Sequence, residues 1–326
     1  MAVLVLVEHA GGAADDVSQQ AATLARGYAQ AAGEPLEAVL FGPDAATAAQ
    51  SMGTLGATAA YVVVHERLTA YAPQAWGRAI AELVGTHSPS AVIAPGSERA
   101  TEAMAHAAAF ADLPLAANCI EAAPGEAAAV TRLRWGGSLL EQARVHGPTK
   151  LLTVAPHAVE AAPAAAPAQT AVSEFTPDLT DADLVVRVVE RAQTDSGAGV
   201  SLADAKVVVS GGRGAGSAEG FAPVEALAAA LGGAVGCSRA VTIAGWRPHT
   251  DQVGQTGTKI APEIYIPCGI SGATQHMAGC KGAKRILAIN TDPEAPIVAN
   301  ADYAVIGDLH EVLPAITAEI EKARAG

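Results

Sequence analysis

The feature that most constrains the fold is a repeated alternation of short Val-rich runs with longer Ala-rich stretches in the first half of the chain. The runs have the length and β-branched composition of buried strands, and the Ala-rich stretches carry apolar residues at helical spacing. This pattern predicts an α/β fold in which helices flank a mainly parallel sheet. The expected strands are Val3–Val7, Leu36–Phe41, Ala60–Val64, Ala91–Ala94 and Leu151–Val154, with helices at Asp16–Ala32, Tyr71–Thr86 and Glu98–Phe110.

The chain is expected to form two domains, because it has 326 residues and a single domain usually holds about 100 to 200. A second series of βα units begins at Lys206, after a polar stretch at 193–201 that lacks apolar periodicity. We therefore predict an N-terminal α/β domain at 1–199, a second α/β domain at 200–326, and a hinge at 193–201. One more strand is expected at Leu184–Val189.

The composition disfavours several classes of protein. A formal net charge of −13 argues against nucleic-acid binding, because phosphate neutralisation needs clustered Lys and Arg. No stretch approaches the roughly 18 consecutive apolar residues of a membrane span, and the apolar run at Met1–Val7 is too short for a signal peptide. The four cysteines form no CxxC pair, so we expect reduced thiols and a cytoplasmic location rather than disulfides.

The second domain is the better candidate for binding an anionic cofactor. Residues 1–199 hold 21 acidic and 10 basic residues, whereas 200–326 hold 12 and 10, so the second domain is nearly neutral. Its segment Val207–Gly216 reads VVVSGGRGAG, a strand that ends in glycines before a helix. Such glycines allow backbone N–H groups to approach a phosphate, and Arg213 adds a forked positive charge.

This glycine-rich segment also has other interpretations. From Gly212 the pattern runs Gly-x-Gly-x-x-Ser, and no acidic residue follows at the distance that a ribose contact requires. The departure from the dinucleotide fingerprint weakens the hypothesis of a nicotinamide-dependent dehydrogenase. A tight turn from strand to helix, without any ligand, fits the glycines as well.

Three further glycine-containing segments favour a ligand site over a plain turn. Each places hydroxyl, amide or cationic side chains beside glycines, which suits loops that wrap a long polar ligand at the carboxyl ends of parallel strands. The segments are Gly236–Ala240, Gln252–Gly257 and Gly269–His276.

Two of the candidate residues have competing roles. Asp308 could contact a ribose, but Asp308-x-x-Glu311 is also a capping box, which makes it equally suitable as a helix N-cap. His276 with Cys268 and Cys280 could suggest a metal site. Their spacing matches no structural zinc motif, so we expect no metal.

Together these segments resemble the α subunit of electron transfer flavoproteins. The similarity is dense from Lys206 onwards and looser in the N-terminal half. Several long motifs in the same order make the resemblance specific. They are Ser210–Gly214, Gly236–Ala240, Ala244–His249, Gln252–Gly257, Gly269–His276, Ala288–Pro296 and Ala301–Tyr303.

The resemblance implies a heterodimer with a β subunit and one FAD, held mainly by a Rossmann-like, doubly wound C-terminal domain. It implies an electron carrier without substrate chemistry of its own. Such a carrier accepts electrons from acyl-CoA and related dehydrogenases of fatty acid β-oxidation and passes them to a membrane quinone oxidoreductase. In the family the β subunit also holds AMP, so no AMP site is expected in this chain.

By resemblance, three residues tune the redox potential of the flavin. Arg239 lies against the flavin ring, where a cation favours the anionic reduced states. Thr256 places its hydroxyl at flavin N5, and His276 donates to the pyrimidine carbonyl O2. The remaining FAD contacts that the resemblance implies are Arg213, Ser238, Val253, Gly254, Gln255, Ser271, Gly272, Ala273, Thr274, Gln275, Asn290, Asp308 and Leu309.

Two alternatives stay open at the level of the sequence. The glycine-rich loops would also suit a regulatory module that senses an adenine nucleotide. Some relatives of this kind join electron-bifurcating complexes, in which the β subunit carries a second flavin.

Cys237 stands where the family usually has Ala, so a thiol is expected close to the flavin ring.

Overall fold

The computed structural model of the protein describes residues 1–188 and 201–325. Its contacts divide the chain into two compact units, Met1–Ala192 and Gln193–Gly326. The predicted hinge at 193–201 lies, apart from Ser201, outside the described residues, so the hinge and the exact domain bounds stay predictions.

The described part of the first unit, residues 1–188, contains one large mixed sheet, a separate two-stranded antiparallel sheet and four α-helices. The strands are Val3–Val7 (β1), His9–Ala10 (β2), Ala13–Ala14 (β3), Leu36–Phe41 (β4), Ala59–Val63 (β5), Ala91–Pro95 (β6), Leu115–Ala123 (β7), Ala128–Arg134 (β8), Leu139–Val145 (β9), Lys150–Val154 (β10) and Ala171–Phe175 (β11). The helices are Asp16–Ala32 (α1), Ala45–Gln50 (α2), Pro73–His87 (α3) and Glu98–Ala111 (α4).

The large sheet has the order β11-β5-β4-β1-β6-β10-β7-β8-β9. The strands from β11 to β7 pair in parallel, and only the β7–β8 and β8–β9 pairs are antiparallel. All five residues of β1 are buried, since Val3, Val5 and Val7 join one apolar cluster while Leu4 and Leu6 join another. Burial of both faces explains why this strand reads as a continuous apolar run. The expected α/β class is confirmed.

The expected strand at Leu184–Val189 is wrong over its described part. Asp181–Leu184 is a short 3₁₀ helix, and residues 185–188 belong to no strand. The cause is a capping box: the buried carboxylate of Asp183 accepts hydrogen bonds from the N–H and hydroxyl of Thr180 at 2.9 and 2.7 Å. Its other oxygen pairs with Arg78 at 3.2 Å. These bonds close the backbone into a turn that apolar composition alone does not indicate.

Within residues 201–325, the second unit contains a five-stranded sheet and five α-helices. The strands are Val207–Gly211 (β12), Ala234–Cys237 (β13), Ile264–Cys268 (β14), Leu287–Asn290 (β15) and Tyr303–Ile306 (β16). The helices are Ala222–Leu231 (α5), Arg239–Ile243 (α6), Thr274–Cys280 (α7), Pro296–Ala299 (α8) and Leu309–Ala325 (α9). Within residues 1–188 and 201–325, no helix combines the length and apolarity needed to cross a bilayer.

The order of this second sheet, β13-β12-β14-β15-β16, places a topological switch point between β12 and β14. The chain runs from β12 to its neighbour β13 on one side and then returns to β14 on the other. Every strand pair in the sheet is parallel. Loops diverge at such a point and leave a crevice at the carboxyl ends of the strands.

Helices α3 and α4 of the first unit approach very closely at Gly77. A Cβ atom on Gly77 would lie 2.5 Å from His106 Cβ and 2.9 Å from the backbone of Ala103 and Ala107. Gly85 lies on the same helix, but a Cβ there would meet nothing within 4 Å. The chain therefore offers two helical glycines with opposite surroundings.

We expect Gly77→Ala to lower the free energy of unfolding by about 1 to 3 kcal/mol, because the new methyl group forces α3 away from α4. Gly85→Ala serves as the matched control. It should raise the stability by up to ~1 kcal/mol, since Ala is the better helix former and has room. Urea denaturation of both variants tests this, and equal effects of the two substitutions would contradict the close helix contact.

Candidate functional site

A cavity of about 470 Å³ lies at the switch point of the second unit. Four consecutive strand ends supply its walls: the loops that follow β12, β13, β14 and β15 all contribute residues. Cavities of this size and position typically hold small-molecule ligands in α/β proteins. Its location agrees with the expectation that the glycine-rich segments meet at one edge of the sheet.

The glycines after β12 do not form the phosphate cradle that the sequence suggests. The N–H groups of Gly212 and Gly214 donate to the carbonyls of Cys268 and Gly269, at 2.9 and 3.1 Å, so they are not available to an anion. A Cβ on Gly212 would lie 2.2 Å from the Gly269 oxygen, and one on Gly214 would lie 2.7 Å from Gly269 Cα. The glycines instead allow the loops after β12 and β14 to touch through their backbones.

Two arginines supply positive charge to the cavity. Arg213 lies in the turn after β12, and Arg239 is the first residue of α6. Both side chains are exposed, and neither forms an ion pair with another residue in the described parts of the chain. Two guanidinium groups without carboxylate partners in one cavity favour an anionic ligand.

The hydroxyl of Thr256 accepts a hydrogen bond from a buried glutamine. Gln252 is only 2% exposed, and its Nε2 donates to Thr256 Oγ1 at 3.0 Å. The oxygen of the same amide lies 2.6 Å from the hydroxyl of Thr242. Because Thr256 accepts from Gln252, its own hydroxyl hydrogen is free to point into the cavity.

The loop that carries Thr256 is tied to the rest of the site through its backbone. The N–H of Val253 donates to the Cys237 carbonyl at 2.9 Å, and the N–H of Gln255 donates to the Gln275 carbonyl at 2.7 Å. The Thr258 N–H closes the loop by donating to the Gln252 carbonyl at 2.7 Å. The loop is thus held against both β13 and the start of α7.

His276 is a buried polar residue of the cavity wall. Its side chain is 7% exposed, and Nε2 lies 2.7 Å from the hydroxyl of Tyr265. The other ring nitrogen, Nδ1, is buried without a partner at hydrogen-bonding geometry. Burial lowers the pKa of His276 from 6.5 to about 4, although the nearby Val253 carbonyl opposes the change. The imidazole is therefore neutral at physiological pH.

Asn290, at the end of β15, fastens neighbouring loops. Its Nδ2 donates to the Ile270 carbonyl at 2.8 Å, and its Oδ1 accepts from the N–H of Asp292 at 3.0 Å. The side chain is 9% exposed and borders the cavity. Asn290 therefore fixes the positions of the loops after β14 and β15 in addition to any contact with a ligand.

Four of the predicted contact residues do not line the cavity. Asp308 accepts from the N–H of His310 at 2.9 Å at the start of α9, which is the capping role. The side chain of Leu309 is 3% exposed in the apolar core. A Cβ on Gly272 would lie 2.4 Å from the backbone of Ile297, so this glycine packs against α8. Thr274 is the exposed first residue of α7.

The remaining twelve predicted residues do meet around the cavity. They are Arg213, Ser238, Arg239, Val253, Gly254, Gln255, Thr256, Ser271, Ala273, Gln275, His276 and Asn290. The structure adds residues that the sequence did not single out as contacts, of which Gln252, Thr291 and Asp292 are polar. The sequence could have indicated Thr291 and Asp292 as contacts, because they lie directly after the carboxyl end of β15.

The cysteines of this unit are core residues. Cys237 and Cys268 are 0% exposed and belong to one apolar cluster with Val209 and Ile266. Burial raises the pKa of the Cys237 thiol to about 12, so the thiol stays protonated. In the described part of the chain, no three His, Cys, Asp or Glu side chains are grouped in a way that could hold a metal ion.

The chemistry of the cavity fits a long anionic cofactor that combines a phosphate with a polar ring. The two arginines suit the phosphate or an anionic ring. The free hydroxyl of Thr256 and the unpartnered nitrogen of His276 suit the edge of a heterocycle. A buried polar atom without a partner is costly, so His276 Nδ1 is itself a sign that a ligand completes the site.

Two family models match the chain. The electron transfer flavoprotein domain matches residues 3–180, and the electron transfer flavoprotein FAD-binding domain matches residues 201–281. The second match covers most of the segments that surround the cavity. Its description names FAD as the cofactor of this domain.

Three relatives match nearly the whole chain, and two of them are named as alpha subunits. The electron transfer flavoprotein subunit alpha of Mycobacterium leprae is 38% identical, with 99% of both chains covered. That of Thermoanaerobacterium thermosaccharolyticum is 33% identical over 99% of this chain and 98% of its own. Protein FixB of Bradyrhizobium diazoefficiens is 35% identical over 97% of this chain and 87% of its own.

The α/β fold and the matched domains define an electron transfer flavoprotein. Within that class, the chain belongs to the electron transfer flavoprotein α-subunit family. This membership confirms the resemblance expected from the sequence, and with it FAD as the cofactor.

The neutral state of His276 predicts a specific dependence of stability on pH. The unfolded chain binds a proton on this residue below about pH 6.5, whereas the folded chain does so only near pH 4. The contribution of His276 to the free energy of unfolding is fully present above pH 6.5. It is lost as the pH falls toward 4, and the loss is on the order of 3 kcal/mol. We expect His276→Gln to remove that part of the pH dependence.

The measurement is the free energy of urea unfolding between pH 4 and pH 7 for wild type and variant. His249→Gln is the matched control, because His249 is exposed. Its pH dependence should equal that of wild type. If His276→Gln also kept the wild-type slope, the buried neutral imidazole would be disproved.

Proposed function

We propose that this chain holds one FAD in the cavity of its second unit and acts as the α subunit of a heterodimeric electron carrier. The observation that carries the proposal is the convergence of two arginines without ion-pair partners and one buried unpartnered imidazole nitrogen on a cavity at the switch point. FAD supplies the redox chemistry, because its ring can take up and release one or two electrons. The protein supplies binding, orientation and electrostatics.

Three side chains are proposed to control the flavin potential. Arg239 supplies a positive charge beside the ring, which favours reduced states that carry negative charge. Thr256, oriented by Gln252, donates its hydroxyl to flavin N5. His276 donates from its unpartnered nitrogen to the pyrimidine carbonyl O2. All three border the same cavity, which is what a role at one ring requires.

The other lining residues are proposed to hold the remainder of the cofactor, namely its ribityl chain, pyrophosphate and adenosine. Arg213 is the natural partner of a phosphate, since its guanidinium can donate in a bidentate fashion. The polar lining residues near it are Ser238, Gln255, Ser271, Gln275, Asn290, Thr291 and Asp292. The backbone of Val253, Gly254 and Ala273 completes the proposed set.

The partners are proposed from family membership. A β subunit would complete the heterodimer, acyl-CoA and related dehydrogenases of fatty acid β-oxidation would donate electrons, and a membrane quinone oxidoreductase would accept them. The carrier would work in the cytoplasm and would perform no substrate chemistry of its own. The names of the Mycobacterium leprae and Thermoanaerobacterium relatives support a subunit of a larger assembly, because both are called subunit alpha.

A flavin count on the protein coexpressed with its β subunit tests this proposal. We expect a yellow complex with one FAD per α chain, and loss of FAD from the chain purified alone, because a bound partner adds stability to the folded state. Two flavins per complex would identify a bifurcating assembly. A colourless protein with a bound adenine nucleotide would reject the carrier and support a nucleotide sensor.

Replacing Arg239 tests the proposed contact with the ring. Arg239→Ala should lower the flavin reduction potential by tens of millivolts, since a tenfold change in a one-electron equilibrium corresponds to roughly 59 mV. Arg239→Lys should retain part of the effect, because the charge remains while the planar fork is lost. Spectroelectrochemical titration of the coexpressed complex gives the potential.

The matched control for this measurement is Arg285→Ala. Arg285 pairs with Asp302 at 3.2 Å and does not border the cavity, so its removal should leave the potential unchanged. An unchanged potential in Arg239→Ala with full FAD occupancy would show that Arg239 does not face the ring.

A further inference from the structure

Beneath His276 lies a tyrosine that none of the proposed flavin contacts uses. Tyr265 is 0% exposed in the middle of β14, and its hydroxyl lies 2.7 Å from His276 Nε2. The two rings stack with centroids 6.0 Å apart and an interplanar angle of 29°. A phenol in this position is costly to bury unless its hydroxyl makes a good hydrogen bond. The question is which of the two partners carries the shared proton.

Ser210 helps to decide the direction of this hydrogen bond. Its buried hydroxyl lies close enough to affect the pKa of Tyr265, but Ser210 Oγ has no partner at hydrogen-bonding geometry. If His276 Nε2 donated to Tyr265, the phenolic proton would have to go to Ser210, and no bond of acceptable geometry leads there. The phenolic proton is therefore directed at His276 Nε2. An imidazole nitrogen with a free lone pair is also a stronger hydrogen-bond acceptor than the hydroxyl oxygen of Ser210.

The consequence concerns the other nitrogen of the ring. Burial keeps His276 neutral at physiological pH, so the ring carries a single hydrogen. When Nε2 accepts from Tyr265, that hydrogen must lie on Nδ1. Nδ1 is buried and has no partner at hydrogen-bonding geometry, although the Val253 carbonyl lies close to the ring. The tautomer of a histidine is commonly set in this way, by the bond that its other nitrogen makes.

We propose that Tyr265 is a positioning residue that fixes His276 in the Nδ1–H tautomer, so that the imidazole presents a neutral donor to an electron-rich carbonyl of the bound flavin. The proposal rests on the FAD site described under the proposed function. It assigns Tyr265 a part in setting the potential although Tyr265 itself does not border the cavity. The donor strengthens its bond as the ring becomes more negative, and it does so without transferring a proton.

Nitrogen-15 NMR of the histidines in the full chain, coexpressed with its β subunit, reads the tautomer directly. His276→Gln identifies the His276 signals by their loss. In the wild type we expect a protonated Nδ1 and an unprotonated Nε2. In Tyr265→Phe the ring should exchange between both tautomers. The equilibrium constant for flavin reduction should fall roughly three- to tenfold, the effect of one weakened hydrogen bond.

Two further variants make the test specific. Tyr61→Phe removes a phenolic hydroxyl that bonds Glu37 in the first unit, and it should change neither the tautomer nor the potential. Ser210→Ala should leave the tautomer unchanged, because the phenol does not donate to Ser210. If the phenol did donate to Ser210, the wild type would hold the Nε2–H tautomer and Ser210→Ala would shift the ring toward Nδ1–H; that shift would overturn the proposal.

The wild-type spectrum decides the matter even if Tyr265→Phe does not fold. A protonated Nε2 in the wild type would overturn the proposal without any variant. An unchanged tautomer and potential in a folded, flavin-loaded Tyr265→Phe would overturn it as well. Failure of the FAD site itself is recognised separately, because the wild-type complex would then contain no flavin.

Discussion

The cavity depends on the backbone contact between the loops that follow β12 and β14. Gly212 and Gly214 donate to consecutive carbonyls, and added Cβ atoms would lie 2.2 and 2.7 Å from Gly269. No other residue allows two loops to meet this closely across a switch point. The contact brings Arg213 and the segment before α7 to the same cavity, so the site forms only when both strands have paired.

Two buried side chains form hydrogen bonds to groups that face the cavity. Gln252 holds the Thr256 hydroxyl and Tyr265 holds His276, at 3.0 and 2.7 Å. Both supporting side chains are almost fully buried. Buried supports of this kind keep the presented groups in one geometry, which lowers the reorganisation that electron transfer requires. The exposed arginines contribute charge, while the buried imidazole contributes a neutral donor.

The sequence predicts the secondary structure well where a strand or helix period extends over many residues. The βα repeat of the first unit and the segments around the cavity are recognised because strand and helix periods differ clearly. The antiparallel strands β7 to β9 escape recognition, because Leu115–Ala123 is rich in Ala and reads as helix until its strand partners are known. Gly136 and Gly137, both with positive φ between β8 and β9, were the available signal of a hairpin.

Other features could not be predicted because they depend on contacts between distant segments. The glycines after β12 look like a phosphate cradle until β14 is placed beside them. Asp308 fits a ligand contact and a helix cap equally well, and only the course of α9 decides between them. Tyr265 lies outside every motif of the sequence, and Gln252 begins one, but each acts through another residue, four positions away for Gln252 and eleven for Tyr265.

A crystal structure of the FAD-loaded heterodimer tests the central claim most directly, through the distance from His276 Nδ1 to the pyrimidine carbonyl of the flavin. The account predicts a hydrogen bond of about 2.7 to 3.2 Å, with Tyr265 still bonded to Nε2. A flavin ring bound outside this cavity would contradict the account. So would a His276 whose Nδ1 still faces no acceptor when FAD is bound.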